Sequence, residues 1–309
     1  MSGRPRSTYS IVARDADGSL GVAVQSHWYN VGAVVPWVDA AVGAVAVQSF
    51  SGPEVGLAAL EHLRAGRTAG GTLGVLLADE VQRGGGQIAI VTSGGAVAVH
   101  TGDGCIPEAG DRSGAGYSAQ ANLMDTDEVW GAMAAAFEAA AGDLAERLLV
   151  ALEAAQAAGG DIRGQQSAAI VVAAPGVPPP LDRIFDLRVE DHAQPVAELR
   201  RLVTIRRAFI LLNDGDRLVA RHEVGAALDA YRAATEVVDD VVADGEAAFW
   251  TAIALATEDL LDDAESYMRR AGARSDRWAR LIPRLVQIGI LPDDPALTDR
   301  LVRAASGGA

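Results

Sequence analysis

Four apolar stretches of this chain end in residues that donate or accept hydrogen bonds or protons. They close with Gln25-Ser26-His27-Trp28, Gln48-Ser49-Phe50, His100-Thr101-Gly102 and Gln120-Ala121-Asn122. If they are strand ends at one rim of a layered α/β sheet, they line a pocket. Ser26, Gln48, Ser49, Gln120 and Asn122 then bind substrate or stabilise an oxyanion, and His27 and His100 assist proton transfer. Cys105, in a Gly-rich loop five residues after His100, has two readings: an activated nucleophile or a small buried hydrophobe. Thr8 opens the first β-rich run. A threonine activated by its own α-amino group is a known nucleophile, because that amine titrates near neutrality. The chemistry requires that the seven residues Met1–Ser7 be removed.

Composition excludes several alternatives. The 309-residue chain contains no lysine, and all 26 basic residues are arginine. Schiff-base enzymes, P-loop NTPases and protein kinases each need a lysine. A net charge of −15 argues against nucleic-acid partners. One cysteine rules out an internal disulfide and a Cys-based zinc site. His62 falls inside a helical stripe, and His192 and His222 have no ligand-spaced partners, so no metal or other cofactor is expected. No apolar run approaches the ~18 residues of a membrane span and no secretory leader is visible. A cytoplasmic protein with no membrane partner is expected.

These residues need elements to hold them. Thr8–Arg14 and Leu20–Ser26 read as a hairpin around Asp15-Ala16-Asp17-Gly18, and Ala41–Phe50 as a third strand. A helix begins at Pro53 with Ser51 as N-cap and stops at Gly66, followed by a second helix over Thr72–Glu80. Gln87–Thr92 and Ala96–His100 are the next strands, Thr101–Gly116 a loop, and Tyr117–Leu123 another strand. A long helical segment runs from Glu128 to about Ala158, capped by Asp125-Thr126-Asp127 and broken near Gly142. Ser167–Ala174 is the last core strand and Ile184–Val189 an edge strand. Helices grouped between sets of strands predict an α+β layered fold. From Pro195 the texture is helical. Ala227, Tyr231, Arg232 and Ala234 align with Ala264, Met268, Arg269 and Ala271 at a period of 37, near that of tetratricopeptide helix pairs. Two domains follow, residues 1–194 and 195–309. Neither is basic: net charge is −10 over residues 1–190 and −5 over 191–309.

The runs Thr8–Asp15, Gly21–Trp28 and Gly43–Phe50 resemble the DUF1028 family. So do His100-Thr101-Gly102, Cys105, Gln120–Met124 and Gly160-Asp161-Ile162-Arg163-Gly164 with Gln166-Ser167. The resemblance covers about residues 8–192. It implies an N-terminal-nucleophile (Ntn) hydrolase fold, a four-layer αββα sandwich, and it brings Asp161 into the candidate site. The C-terminal region resembles a helical domain assigned to peptidoglycan binding. Against proteasome subunits, the hairpin length places Thr8 where their nucleophile stands, but their catalytic lysine has no counterpart here.

The expected function is therefore an Ntn-type amidohydrolase acting on a small amide, imide or ureido compound with Thr8 as nucleophile. Two alternatives stay open: a hydrolase using Cys105 or His27, and a non-catalytic small-ligand-binding protein. A homodimer is expected, with the helical domain binding a protein or glycan partner.

Overall fold

A computed structural model describes residues 7–221, 223–238 and 245–307. Met1–Arg6 and His222, both named above, lie outside the described residues. The chain divides into two compact units, residues 1–200 and 201–309.

The first unit rests on two antiparallel sheets. Its strands are β1 (Thr8–Arg14), β2 (Leu20–Ser26), β3 (Pro36–Asp39), β4 (Gly43–Ser49), β5 (Gly86–Thr92), β6 (Val97–Thr101), β7 (Gly110–Gly114), β8 (Tyr117–Asn122), β9 (Ser167–Ala173) and β10 (Arg183–Val189). Its helices are α1 (Pro53–Arg64), α2 (Ala69–Leu76), α3 (Glu80–Gly85), α4 (Val129–Ala139) and α5 (Leu144–Ala157). One sheet has the order β10-β9-β2-β1-β8-β7 and the other β3-β4-β5-β6. The β1–β2 hairpin closes where Gly18 donates its N–H to the Asp15 carbonyl at 3.0 Å. Gly18 has φ +92°, a conformation that favours a residue without Cβ.

Strand side chains alternate between faces, and here both faces are covered. On the facing sides of the two sheets, Val12, Val22, Val24, Ala44, Ala46, Val91 and Val171 form one apolar cluster. On the outer side of the four-stranded sheet, Val45, Val47, Ile88 and Ile90 pack against Val55, Leu60 and Leu73 of α1 and α2. Helices α4 and α5 cover the outer side of the six-stranded sheet. There Phe137 meets the Tyr117 ring at 4.9 Å. A Cβ on Gly21 would stand 2.8 Å from Leu148, so glycine sets how closely α5 approaches β2. The fold is mixed α/β, with buried polar side chains gathered at one end of the paired sheets.

Several boundaries differ from the sequence reading, each for a local reason. The strand expected over Ala41–Phe50 is β4, two residues shorter at its start and one at its end: Asp39 Oδ1 accepts the Ala41 N–H at 3.0 Å and turns the chain between β4 and the unforeseen strand β3. The helix expected over Thr72–Glu80 is two, because Thr68 Oγ1 and Asp79 Oδ1 each cap a separate start. Ser51 does not cap α1; its hydroxyl donates to Gln82 Oε1 at 2.5 Å, and Gly52 is the N-cap. The Asp125–Asp127 cap is also replaced, by Glu128, while Thr126 Oγ1 donates to the Ala158 carbonyl at 2.9 Å. The long helix does break at Gly142, which has φ +104°; Asp143 then caps α5. The loop Thr101–Gly116 contains the edge strand β7. The terminal strand β10 is at a sheet edge, as the sequence suggested.

Beyond α6 (Pro195–Ala220), the second unit is helical: α7 (Val224–Val238), α8 (Glu246–Thr257), α9 (Leu261–Arg274), α10 (Arg277–Gln287) and α11 (Pro295–Ala305). The aligned repeat positions Ala227, Tyr231 and Ala234 on α7 are buried, as are Ala264, Met268 and Ala271 on α9. Phe249 of α8 is fully buried and stacks on Trp278 at 4.7 Å.

The α5–sheet contact sets a stability expectation. Leu148 is fully buried, so Leu148→Ala should cost about 2–5 kcal/mol. Urea unfolding should show this as a lower midpoint with an unchanged slope.

Candidate active site

The apolar filling between the sheets does not extend to the end where β1 begins. Alternation along β1 places Thr8 and Ser10 on the same face as Val12. Registry then fixes their neighbours: Thr8 opposite Asn122 and Ser10 opposite Gln120 in one sheet, Gln48 opposite Gln87 and Gln87 opposite Thr101 in the other. All of these side chains except Thr101 are fully buried.

Hydrogen bonds join the two sheets through these groups. Ser10 Oγ donates to Gln48 Oε1 at 2.7 Å and receives Gln120 Nε2 at 2.6 Å. Gln48 Nε2 donates to Gln87 Oε1 at 2.7 Å and to the Thr8 carbonyl at 3.2 Å. Gln87 Nε2 reaches the Ala121 carbonyl at 2.8 Å and Thr101 Oγ1 at 3.0 Å. Asn122 Nδ2 donates to Gln87 Oε1 at 2.9 Å, and Thr101 Oγ1 donates to Asp111 Oδ1 at 2.6 Å. A buried amide is costly unless paired, so this network holds both sheet ends to hydrogen-bond tolerance.

The network borders the peptide that joins Ser7 to Thr8. Thr8 Oγ1 donates to Ser26 Oγ at 3.2 Å, and Ser26 Oγ donates in turn to the Ser7 carbonyl. Arg163 Nη2 reaches the same carbonyl at 3.3 Å. Arg163 is oriented by a forked ion pair with Asp161, through Nε at 3.1 Å and Nη2 at 2.9 Å. The Asp161 carboxylate also accepts the His27 backbone N–H at 3.0 Å. Arg163 borders a cleft of about 370 Å³ that also involves His27, Trp28, Tyr29 and Gln166. Nearby backbone is strained: Ser49 at the end of β4 has φ +62° and Leu123, just past β8, has φ +56°. Such left-handed non-glycine residues concentrate at functional sites.

The structure brings together Thr8, Ser26, Gln48, Gln120 and Asn122, with Asp161 at the rim through Arg163. His27 is on the cleft side, next to Ser26. His100 is elsewhere. Alternation puts Val97, Val99 and Thr101 toward the other sheet and His100 on the outer face, where its Nε2 bonds the Arg83 carbonyl at 3.0 Å. Cys105 and Ser49 form a neighbouring pair outside the network. Cys105 is buried, and its Sγ donates to the Gly85 carbonyl at 3.4 Å. Burial pushes its thiol pKa up, against smaller opposing effects of Ser49 and the Gly102 backbone; this is the reverse of nucleophile activation. Tyr9, on the opposite face of β1, is held neutral by burial and by the Asp161 charge. Ser7, Ser10, Gln87 and Arg163 were missed by sequence reasoning. For Ser10 and Gln87 the signal was present, as polar residues in phase with Thr8 and Gln48 on otherwise apolar strands. Among the described residues, no group of three or more His, Cys, Asp or Glu is placed to hold a metal ion.

Two outcomes follow. Gln48→Leu leaves Ser10, Gln87 and the Thr8 carbonyl short of partners and should cost about 2–4 kcal/mol in chemical unfolding. Cys105 should react slowly with a thiol reagent at neutral pH in the native protein and at once when denatured. Fast native reaction would revive the cysteine reading.

No curated protein matches this chain. Among solved structures it is similar to the crystal structure of protein SPO2555 from Silicibacter pomeroyi, described with the DUF1028 family model. That match has 31% identity and a TM-score of 0.58, and covers 64% of this chain and 84% of that one. The model of a family of unknown function, DUF1028, matches residues 8–199, most of the chain, and the chain belongs to that family.

Proposed function

We propose that the first unit is an Ntn-type amidohydrolase for small amides, imides or ureido compounds. Its nucleophile is Thr8, freed by cleavage of the Ser7–Thr8 peptide bond. The helix–sheet–sheet–helix layering agrees with the Ntn-hydrolase sandwich that the family resemblance implies. One observation carries the reading: the Ser7 carbonyl accepts from both Ser26 and Arg163, while Thr8 Oγ1 is hydrogen-bonded to that same Ser26. The attacking oxygen, a proton relay and two oxyanion donors thus converge on the peptide that must break.

The step balances without an outside reagent other than water. Thr8 Oγ1 attacks the Ser7 carbonyl carbon, and its proton moves through Ser26 Oγ to the developing oxyanion. Collapse re-forms the carbonyl, passes that proton from its oxygen to the nitrogen and breaks the C–N bond, so the nitrogen leaves as the Thr8 amine. Residues 1–7 are then held as an ester on Thr8, which water hydrolyses. The freed amine is a base near neutral pH. It deprotonates Thr8 Oγ1 for attack on a substrate amide and gives that proton to the departing amine as the C–N bond breaks, leaving an acyl ester on Thr8 that water hydrolyses; Ser26 and Arg163 hold the substrate oxygen where the Ser7 carbonyl stood. Arginine stays protonated, so Arg163 stabilises charge and does not carry a proton. In the C-terminal unit, the repeat-like helices would serve a protein or glycan partner.

Intact mass and N-terminal sequencing test this. Mature protein should lack seven residues and begin at Thr8. Thr8→Ala should keep them and be inactive, and Ser26→Ala should slow cleavage about 100-fold. Active protein that retains Met1–Ser7 sinks the proposal, and Cys105→Ser should leave turnover intact.

A further inference from the structure

Ser7 is held by its side chain as well as by its carbonyl. It is fully buried. Its Oγ donates to the Asn122 carbonyl at 3.0 Å and contacts the Leu123 carbonyl at 3.2 Å. Both acceptors are main-chain atoms of the strained turn that leaves β8. Leu123 is further tied down by its N–H to the Ile106 carbonyl at 2.9 Å, so the acceptors are fixed in position.

From this we infer the substrate class. The site accepts amides of small acyl groups with a hydrogen-bond donor on the β-carbon, seryl-type amides, and in the uncut chain Ser7 occupies the acyl pocket. The inference rests on the reading of Thr8 as nucleophile. In self-cleavage, Ser7 becomes the acyl group esterified to Thr8 Oγ1. A substrate's acyl group takes the same bond to the same oxygen. Its carbonyl oxygen therefore meets Ser26 and Arg163, and its β-substituent meets the carbonyls of Asn122 and Leu123.

Once Ser7 has left, those two carbonyls have lost a donor. A hydroxyl restores the bond, whereas a methyl leaves the Asn122 carbonyl without that donor, the Leu123 carbonyl keeping the Ile162 N–H at 3.3 Å. That asymmetry rejects an analogue lacking the donor more strongly than size alone does. A leucyl side chain both lacks the donor and exceeds the fully enclosed volume that Ser7 fills. Arg163 reaches from the carbonyl position to the cleft containing Trp28 and Tyr29, which leaves room for the remainder of the substrate.

Two comparisons test this together. First, release of residues 1–7 is followed by intact mass for wild type, Ser7→Ala, Ser7→Thr and Ser7→Leu, with circular dichroism confirming that each variant is folded. Second, the processed wild-type protein is assayed with seryl-, alanyl- and leucyl-4-nitroanilides. Ser7→Ala should release the segment about tenfold more slowly, Ser7→Thr near the wild-type rate, and Ser7→Leu not at all. In kcat/KM the seryl anilide should exceed the alanyl by about tenfold, with no leucyl turnover. Normal release in wild type with equal rates in either Ser/Ala comparison overturns the acyl-pocket inference and leaves Thr8 catalysis standing. Wild type that keeps residues 1–7 and turns over no anilide overturns both.

Discussion

The Gln48 side chain ties one sheet to the other. It projects from β4, accepts from Ser10 of β1 and donates to Gln87 of β5 and to the Thr8 carbonyl. Apolar contacts between the sheets are tolerant of small displacements, since Val and Ala present no direction. The amide is directional. A one-residue slip of β4 would carry Gln48 to the helix-covered face and leave the Ser10 hydroxyl and the Thr8 carbonyl without that partner. The polar half of the interlayer space therefore specifies the alignment of the two sheets, while the apolar half supplies most of the burial. The start of β1 inherits that alignment.

This division explains why the strain and the charged pair gather at the same end. Antiparallel pairing brings the starts of β1, β5 and β9 to the ends of β2, β4, β6 and β8. Chains leaving such an end must turn at once, because a buried amide network leaves no room to continue straight. Ser49 and Leu123 make those turns in left-handed backbone. Past Leu123 the chain pairs Met124 with Asp161, which carries the carboxylate to Arg163 and Arg163 to the Ser7 carbonyl. The guanidinium position thus depends on a turn nearly 40 residues away in sequence.

Much of this was legible in the sequence. Polar strand ends at Ser26, Gln48, Gln120 and Asn122 stood out because they interrupt apolar runs, and the structure joins them. His100 stood out equally and is on the wrong face for that network. Its fault was one of phase: Val97, Val99 and Thr101 share a face, so the alternating pattern already assigned His100 to the other. The pattern also held Gln87, directly opposite Gln48, but glutamine at a strand start attracts little notice without a known partner. Arg163 and Ser7 were less visible. Their roles come from contacts across 156 residues of chain, which no local spacing encodes. The split of the helix expected over Thr72–Glu80 has a local cause: Thr68 and Asp79 compete for backbone N–H groups more effectively than the apolar stripe continues the helix.

The absence of lysine has a kinetic consequence within the proposed mechanism. A site with a neutral lysine holds a base before and after the chain is cut. Here the basic side chain at the rim, Arg163, is locked to Asp161 and keeps its proton. The uncut chain has no α-amine at Thr8, since that nitrogen is still in the peptide bond. Self-cleavage must therefore proceed through the Ser26 hydroxyl alone, a relay that passes a proton without storing one. Turnover after cleavage has the amine and does not need that relay as a base. The first event and the later ones run in the same pocket with different proton acceptors, so the two rates are free to differ widely. The same two donors, Ser26 and Arg163, serve the carbonyl oxygen in both.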